Sequence, residues 1–350
     1  MRKTRRRKPW PPDAALDKPK YGLEDSRLFA QSVVSPLRYP GAKRQLYRAL
    51  QTIISANVPP PRLFVEPFCG GATSALRLAG TGIVEHAILA DADPLVAAFW
   101  YVAAFDTSWL VQAMKEEPVT IRRWEWWRLA QPKSRRERAL KCLFLNRTTF
   151  SGILHGRAGP IGGRSQSSAY KIDCRYGIDG LERRIRAVGD LADTGRLLDV
   201  WHCDWRESMR RAALFDGLTA DEIVMYLDPP YVDKAAALYE WSFESDEHRH
   251  LAKELLSAQE FRWLLSYDDS PAIRPLYANQ AGYALRTVKY LYTAAGSATR
   301  KSKLELLVSN YPDVPTDLGN NQPQNPSGDN EERTHDSDRT DRSRLQDCGG

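Results

Sequence analysis

Asp228, Pro229, Pro230 and Tyr231 end the apolar run Ile223–Leu227 with a carboxylate, two imino acids and an aromatic ring. A buried strand more often gives way to small turn residues. Two successive prolines remove backbone donors and narrow the φ choices, so neighbouring carbonyls point in fixed directions. Acceptors beside a flat ring suit a planar molecule with an exocyclic amino group, which donates two hydrogens. A rigid turn that only closed a strand would not account for the acid and the ring together.

Two other apolar runs carry endings of the same kind. After "LFVE" (63–66) comes Pro67-Phe68-Cys69-Gly70-Gly71-Ala72-Thr73, a glycine turn that leads into a helical pattern. It is neither the GxGxxG fingerprint nor a P-loop, because no Lys-Ser/Thr pair follows, so a nucleoside suits it better than a phosphate chain. After "AILA" (87–90) come Asp91 and Asp93. A carboxylate at the end of a second strand can hold both hydroxyls of a ribose. The alternative is an N-cap before "PLVAAFW", with Pro94 at the first helical position. We expect a division of labour, Asp91 toward a ribose and Asp93 as the cap.

The elements that must position these groups alternate. Apolar runs at 63–66, 87–91, 197–202, 223–228, 261–268, 284–292 and 304–310 are separated in several places by helical spacing, as in "SALRLAG" and "HRHLAKELLSAQE". Strands alternating with helices predict a mostly parallel sheet covered on both faces, with ligands beyond the strands' carboxyl ends. The last two runs suit a hairpin at the sheet edge. The stretch 105–200, rich in Arg, Trp and Gly, breaks the rhythm and reads as an inserted, largely helical subdomain.

In the 350 residues the net charge of +6 hides an asymmetry. From Tyr311 onward there are nine acidic and four basic side chains, so the first 310 residues carry +11. That points to a polyanionic partner, often nucleic acid, against the blander reading of a solvated surface. Six of the first eight residues are Arg or Lys, with no apolar segment behind them, which does not fit a secretory signal. Residues 1–32 read as a disordered basic arm and 312–350 as a disordered acidic tail. Cysteines at 69, 142, 174, 203 and 348 form no CxxC pair, which argues against a zinc site and a disulfide framework. No run is long enough to cross a bilayer, and a cytoplasmic location is expected.

Taken together these segments resemble the Dam-type (D12 class) DNA adenine-N6 methyltransferases. The likeness rests on "RYPGAK" (38–43), "FVEPFCGGAT" (64–73), "LADADP" (89–94) and "YLDPPY" (226–231), then more loosely on "LLSYDDS" (264–270) and "KLELLVSN" (303–310). It implies a Rossmann-like sheet of the kind that uses S-adenosylmethionine, formed by 33–104 and 201–311, with 105–200 as a target-recognition subdomain. It also implies cofactor-binding roles for Tyr39, Lys43, Glu66, Phe68, Gly70, Asp91, Asp204, Trp205 and Asp228, and places Asp228, Pro229 and Tyr231 at the reacting base. Tyr39 stands where the family often has Trp. His202 and Cys203, beside Asp204, read as packing. The base would be flipped out of duplex DNA and stacked on Tyr231.

The recognition stretch opens with Arg122, Arg123, Arg128, Arg135, Arg136 and Arg138, which read as phosphate contacts. Trp124, Trp126 and Trp127 read as core. "LNRTTFSGI" (145–153) resembles the family's Asn-Arg-x-x-aromatic-x-Gly segment, which makes Arg147 a DNA residue. Arg157, Arg164, Lys171 and Arg175 lie on glycine-rich loops that depart from the Dam pattern, so a GATC target does not follow. His248 and His250 read as solvated surface. Double-stranded DNA is the expected partner, with a cognate restriction endonuclease a further expectation and a monomer the expected state. Two alternatives stay open: an aminomethyltransferase acting on cytosine-N4 or another planar amine, and a DNA-binding protein without catalysis. The acid at 228 favours adenine, since cytosine-N4 enzymes usually carry Ser there.

Overall fold

Each of the seven apolar runs becomes a strand, and they join one sheet. The computed structural model describes residues 33–38, 44–230, 245–278, 280–293, 300–316 and 318. Tyr39, Lys43 and Tyr231, the basic arm and nearly all of the acidic tail lie outside these residues. Strands β1 (Leu63–Glu66), β2 (His86–Asp91), β3 (Leu197–His202), β4 (Ile223–Leu227), β5 (Arg262–Asp268), β6 (Ala284–Thr293) and β7 (Arg300–Ser309) follow one another in the chain. Their order across the sheet is β3-β2-β1-β4-β5-β7-β6. The first five pair in parallel, and β7 runs antiparallel between β5 and β6 as the expected edge hairpin.

Alternation along the strands assigns the faces. Phe64, Val224, Tyr226 and Leu264 point into one core cluster, while Leu63, Val65, Met225, Leu227 and Leu265 point into the other. Successive side chains on a strand leave opposite sides, so a sheet buried on both faces must be apolar at every position. The first face carries α1 (Arg44–Ala56), α2 (Thr73–Gly80), α3 (Pro94–Phe105) and, stacked on α3, the helices α4 (Thr107–Glu116), α5 (Ile121–Leu129), α6 (Arg135–Thr148) and α7 (Ile178–Asp193). The second face carries α8 (Trp205–Ala213), α9 (Ser245–Ser257) and the short α10 (Arg274–Tyr277). Among the described residues no single helix is long and apolar enough to cross a membrane.

Two expectations change here. The helices of 105–200 are not set apart from the sheet. All described residues belong to one compact unit, Met1–Leu318, in which α6 and α7 pack on α3 and α7 leads directly into β3. The boundary expected at 200 therefore cuts through β3. His248 also departs from the surface reading: it is 3% exposed and its Nδ1 lies 2.8 Å from Tyr267 Oη. It shares a helical stripe with Leu251, Ala252 and Leu255 at offsets of three, four and seven, which is the core-facing face of α9. His250, two positions on, is exposed.

Close contact between α4 and α7 is measurable. A Cβ placed on Gly189 of α7 would stand 2.4 Å from Thr107 Oγ1 and 3.1 Å from Thr107 Cβ. Gly189→Ala should lower the unfolding free energy by about 1–3 kcal/mol in urea titration, despite the usual helix gain from alanine. Adding Thr107→Ala should recover part of that loss. Unchanged stability in the single variant would contradict this packing.

Candidate active site

The turn after β1 is a strained piece of backbone held by side chains from outside it. Gly70 and Ala72 have φ of +42° and +48°, and Ala72 has no Gly-like freedom to relieve its left-handed conformation. Ala72 is also the N-cap of α2 but offers no side-chain acceptor. Glu66 supplies one in its place: its Oε2, on a side chain only 4% exposed, accepts from Ala75 N at 3.1 Å. The fully buried Trp100 of α3 donates its indole N–H to Gly70 O at 2.8 Å. Phe68 packs against the second core cluster.

Asp91, at the end of β2, closes the arrangement. Its Oδ2 accepts from Gly70 N and its Oδ1 from Asp93 N, both at 2.9 Å. Burial, and then the neighbouring charge of Asp93, push the Asp91 carboxyl up to about 7 against the pull of these hydrogen bonds. Asp93 performs the expected cap: its Oδ1 accepts from Leu95 N at 2.8 Å, with Pro94 opening α3. Its Oδ2 lies 2.7 Å from His155 Nε2, so the start of the glycine-rich loop is tied to this corner. His202 is exposed rather than packed, with Nε2 at 3.2 Å from Ala92 O, while Cys203 is half-buried.

β4 delivers Asp228 to the same edge. Its Oδ1 accepts from Ser266 Oγ at 2.9 Å, and Ser266 Oγ lies 2.9 Å from the hydroxyl of the buried Tyr226. Pro229 is buried and Pro230 half-buried behind it. Because β2, β1 and β4 are adjacent and parallel, Asp91, the glycine turn and Asp228 all leave the sheet at its carboxyl edge. Strand order reverses between β1 and β4, the place where open α/β sheets bind ligands.

Asp204 caps α8, its Oδ1 accepting from Glu207 N at 2.9 Å, and its side chain is exposed. Trp205 is 3% exposed in the second core, with Arg206 lying over its ring.

The arginines are sorted differently from the sequence expectation. Arg147 is only 6% exposed and donates through Nε to Pro36 O at 2.8 Å, so a role as a direct DNA contact does not fit its place. It sits on the last turn of α6 facing the segment 33–38, and helical phase carries it inward. Arg123 pairs with Glu117, Arg128 donates to the carbonyls of Leu154 and Gly156, Arg136 pairs with Asp106, and Arg138 donates to Pro132 O. Arg135 lies 3.7 Å over the Tyr101 ring. These five mainly build the helical layer, and Arg122 is exposed. Arg157, Arg164, Lys171 and Arg175 are also exposed, with Arg164 3.7 Å from Glu125. Trp124 and Trp127 are core as expected, whereas Trp126 is 49% exposed beneath the Arg123 guanidinium.

Several residues of the site escaped sequence reasoning. Trp100 and His155 carry no local signal, because their partners are far away in the chain. Ser266 lies inside "LLSYDDS", and its register opposite Asp228 follows from β5 pairing with β4. Phe150 is 66% exposed on a short turn, Phe150–Gly152, in which Ser151 and Gly152 take φ of +58° and +74°. Bonds from Phe150 N to Gly159 O and from Ile161 N to Thr148 O close the loop behind it.

The family model described as D12 class N6 adenine-specific DNA methyltransferase matches residues 39–157. Comparison with curated proteins finds no match. The matched stretch contains the glycine turn, the acid corner at Asp91 and Asp93, and the loop that carries Phe150 and His155, while β4 and Asp228 lie beyond it. A D12 family match over residues 39–157, set within a seven-stranded methyltransferase-type sheet, supports a Dam-type DNA adenine-N6 methyltransferase.

Proposed function

We propose that the enzyme takes its methyl group from S-adenosylmethionine and places it on N6 of an adenine flipped out of a specific duplex sequence. The observation that carries this reading is the Asp228 carboxylate, fixed by Ser266 at the switch point of the sheet, on the edge it shares with the glycine turn and Asp91. An adenine amino group is a poor nucleophile because its lone pair is delocalised into the ring. Hydrogen bonds from its two hydrogens to Asp228 and the Pro229 carbonyl draw the nitrogen toward tetrahedral geometry and free that pair. This is positioning and electrostatic stabilisation of a developing positive charge. S-adenosylmethionine, when bound, supplies an electrophilic methyl on sulfur. Tyr231 stacks the flipped base.

The residues present suit that cofactor. Each Asp91 oxygen has one backbone donor and retains acceptor capacity for a ribose hydroxyl. Gly70 keeps the turn free of side-chain bulk. Glu66 and Phe68 shape its floor, Tyr39 and Lys43 are the aromatic and lysine that the family resemblance assigns to the cofactor, and Asp204 with Trp205 flanks the cofactor's adenine. The helices and loops between Phe105 and β3 read the target, with phosphate or guanine contacts from Arg157, Arg164, Lys171 and Arg175. The exposed Phe150 is the apolar group best placed to fill the space left in the stack.

Asp228→Asn should reduce methyl transfer to DNA by more than about a hundredfold in a labelled-donor assay, beyond a minor electrostatic contribution and within the range of a lost acid–base or oriented acceptor group. Retention of more than a hundredth of the activity would refute the role. Phe150→Ala should weaken binding to a duplex but leave affinity for a duplex with an abasic gap at the target within about threefold, because the gap removes the unstacking cost of a few kcal/mol. Equal losses on both would oppose the wedge.

The Asp91 carboxyl sets a pH dependence. Its folded value of about 7 lies above the ordinary carboxylate value of 3.8, so its contribution to stability is present below the unfolded value and is lost as pH rises through about 7. Ribose hydroxyls donate best to the ionised form. Cofactor affinity should therefore fall about tenfold per pH unit below 7 and level off above it. Calorimetry at pH 6, 7 and 8 checks this, and Asp91→Asn should flatten the slope.

A further inference from the structure

We propose that Asn146 and Arg147 are positioning residues for the strap at residues 33–38, which precedes Tyr39 and Lys43 in the chain, and do not read DNA. The inference rests on the assignment of Tyr39 and Lys43 to the cofactor made above. Residues 33–35 form no strand, and the segment 33–38 is laid on the helical layer by side chains instead of a ladder. Val33 and Leu37 are buried in the first core, 2% and 5% exposed.

The grip on the backbone between and beside them comes largely from the end of α6. Asn146, completely buried, accepts from Arg38 N at 2.7 Å through Oδ1. Its Nδ2 donates to Arg38 O at 2.8 Å and to Gly152 O at 3.1 Å. One side chain thus reproduces the two-bond pairing that a neighbouring strand would give a single residue. Arg147 donates Nε and Nη2 to Pro36 O, and Arg184 of α7 reaches Ser35 O at 3.4 Å. Three carbonyls of the strap, on Ser35, Pro36 and Arg38, are held from a hundred or more positions away in the chain.

The clasp fits closely. A Cβ on Gly152 would stand 2.7 Å from Arg38 O and 3.1 Å from Asn146 Nδ2, at a φ of +74° that already favours glycine. It is also electrostatically costly. Burial, then the like charges of Arg184, Arg38 and Arg175, lower the Arg147 guanidinium to about 9. A guanidinium kept under those conditions, with its donors turned to a backbone carbonyl, serves the chain it holds. The next residue after the gripped Arg38 is Tyr39, so the clasp fixes the point from which the chain continues to the two residues assigned to the cofactor.

Asn146→Asp tests this in the full-length enzyme. It keeps the acceptor for Arg38 N and the volume, but turns an oxygen toward Arg38 O and Gly152 O. The expected result is a rise of about tenfold or more in KM for S-adenosylmethionine, on the scale of one lost buried hydrogen-bond set. kcat at saturating cofactor and Kd for duplex DNA should stay within about threefold. Amide hydrogen exchange over 33–38 should quicken. If Asn146→Asp fails to fold, Arg147→Lys carries the same test, since it keeps the charge and one donor for Pro36 O. Weakened DNA binding with cofactor KM unchanged, or no change in either, overturns the proposal. Lys43→Ala separates the two layers of inference. If it leaves cofactor affinity intact, the strap itself is misassigned, whereas loss there with none in Asn146→Asp removes the clasp alone.

Discussion

The corner where β1 and β2 end depends on one carboxylate accepting two backbone N–H groups. Asp91 bonds to Gly70 N and Asp93 N, so the strained turn after β1 and the corner after β2 share a single anchor. Neither turn could hold its conformation by itself: the first contains a left-handed alanine, and its helix has no side-chain cap of its own. Trp100 and Glu66 hold the same turn from two further directions. The result is a rigid glycine-lined rim on the sheet's carboxyl edge, with a carboxyl group whose burial keeps it near the point of ionisation.

The acid at the end of β4 is positioned by a parallel but separate device. Asp228 emerges from β4, and its orientation is set across the sheet by Ser266 of β5, which is itself engaged with the Tyr226 hydroxyl from the same strand as the acid. Cross-strand register therefore converts pairing of β4 with β5 into the direction of a carboxylate at the sheet edge. Two acids on adjacent parts of one edge have different surroundings. One is locked between amides under a turn, and the other stands past a strand end beside proline carbonyls, which suits one for holding a ligand and the other for orienting an amine.

The helical layer shows how composition can mislead. Arginines clustered in α5 and α6 look like a polyanion surface, yet most are engaged within the fold: Arg123 with Glu117, Arg136 with Asp106, Arg128 with loop carbonyls, Arg147 with Pro36. The same layer that carries the outward Phe150 is latched to the acid corner after β2 through His155 and Asp93. The helical layer and the carboxyl edge of the sheet thus share a support.

What the sequence by itself determined was local and periodic. Apolar runs of strand length placed all seven strands within a few residues, most closely at 63–66 and 197–202, because a strand buried on both faces must be continuously apolar. Asp93 with Pro94 announced the cap of α3, and the glycine turn and the acid-proline-proline-aromatic corner marked the strand ends that matter. Tertiary structure alone decided which residues at those ends meet. Strand order brought β1 beside β4, across more than 150 residues of intervening chain. Helical phase turned Arg147 and His248 inward, and Asn146, Trp100 and His155 found partners 108, 30 and 62 positions away. Such pairings depend on how faces pack in three dimensions, and a reading of one segment at a time contains no term for that.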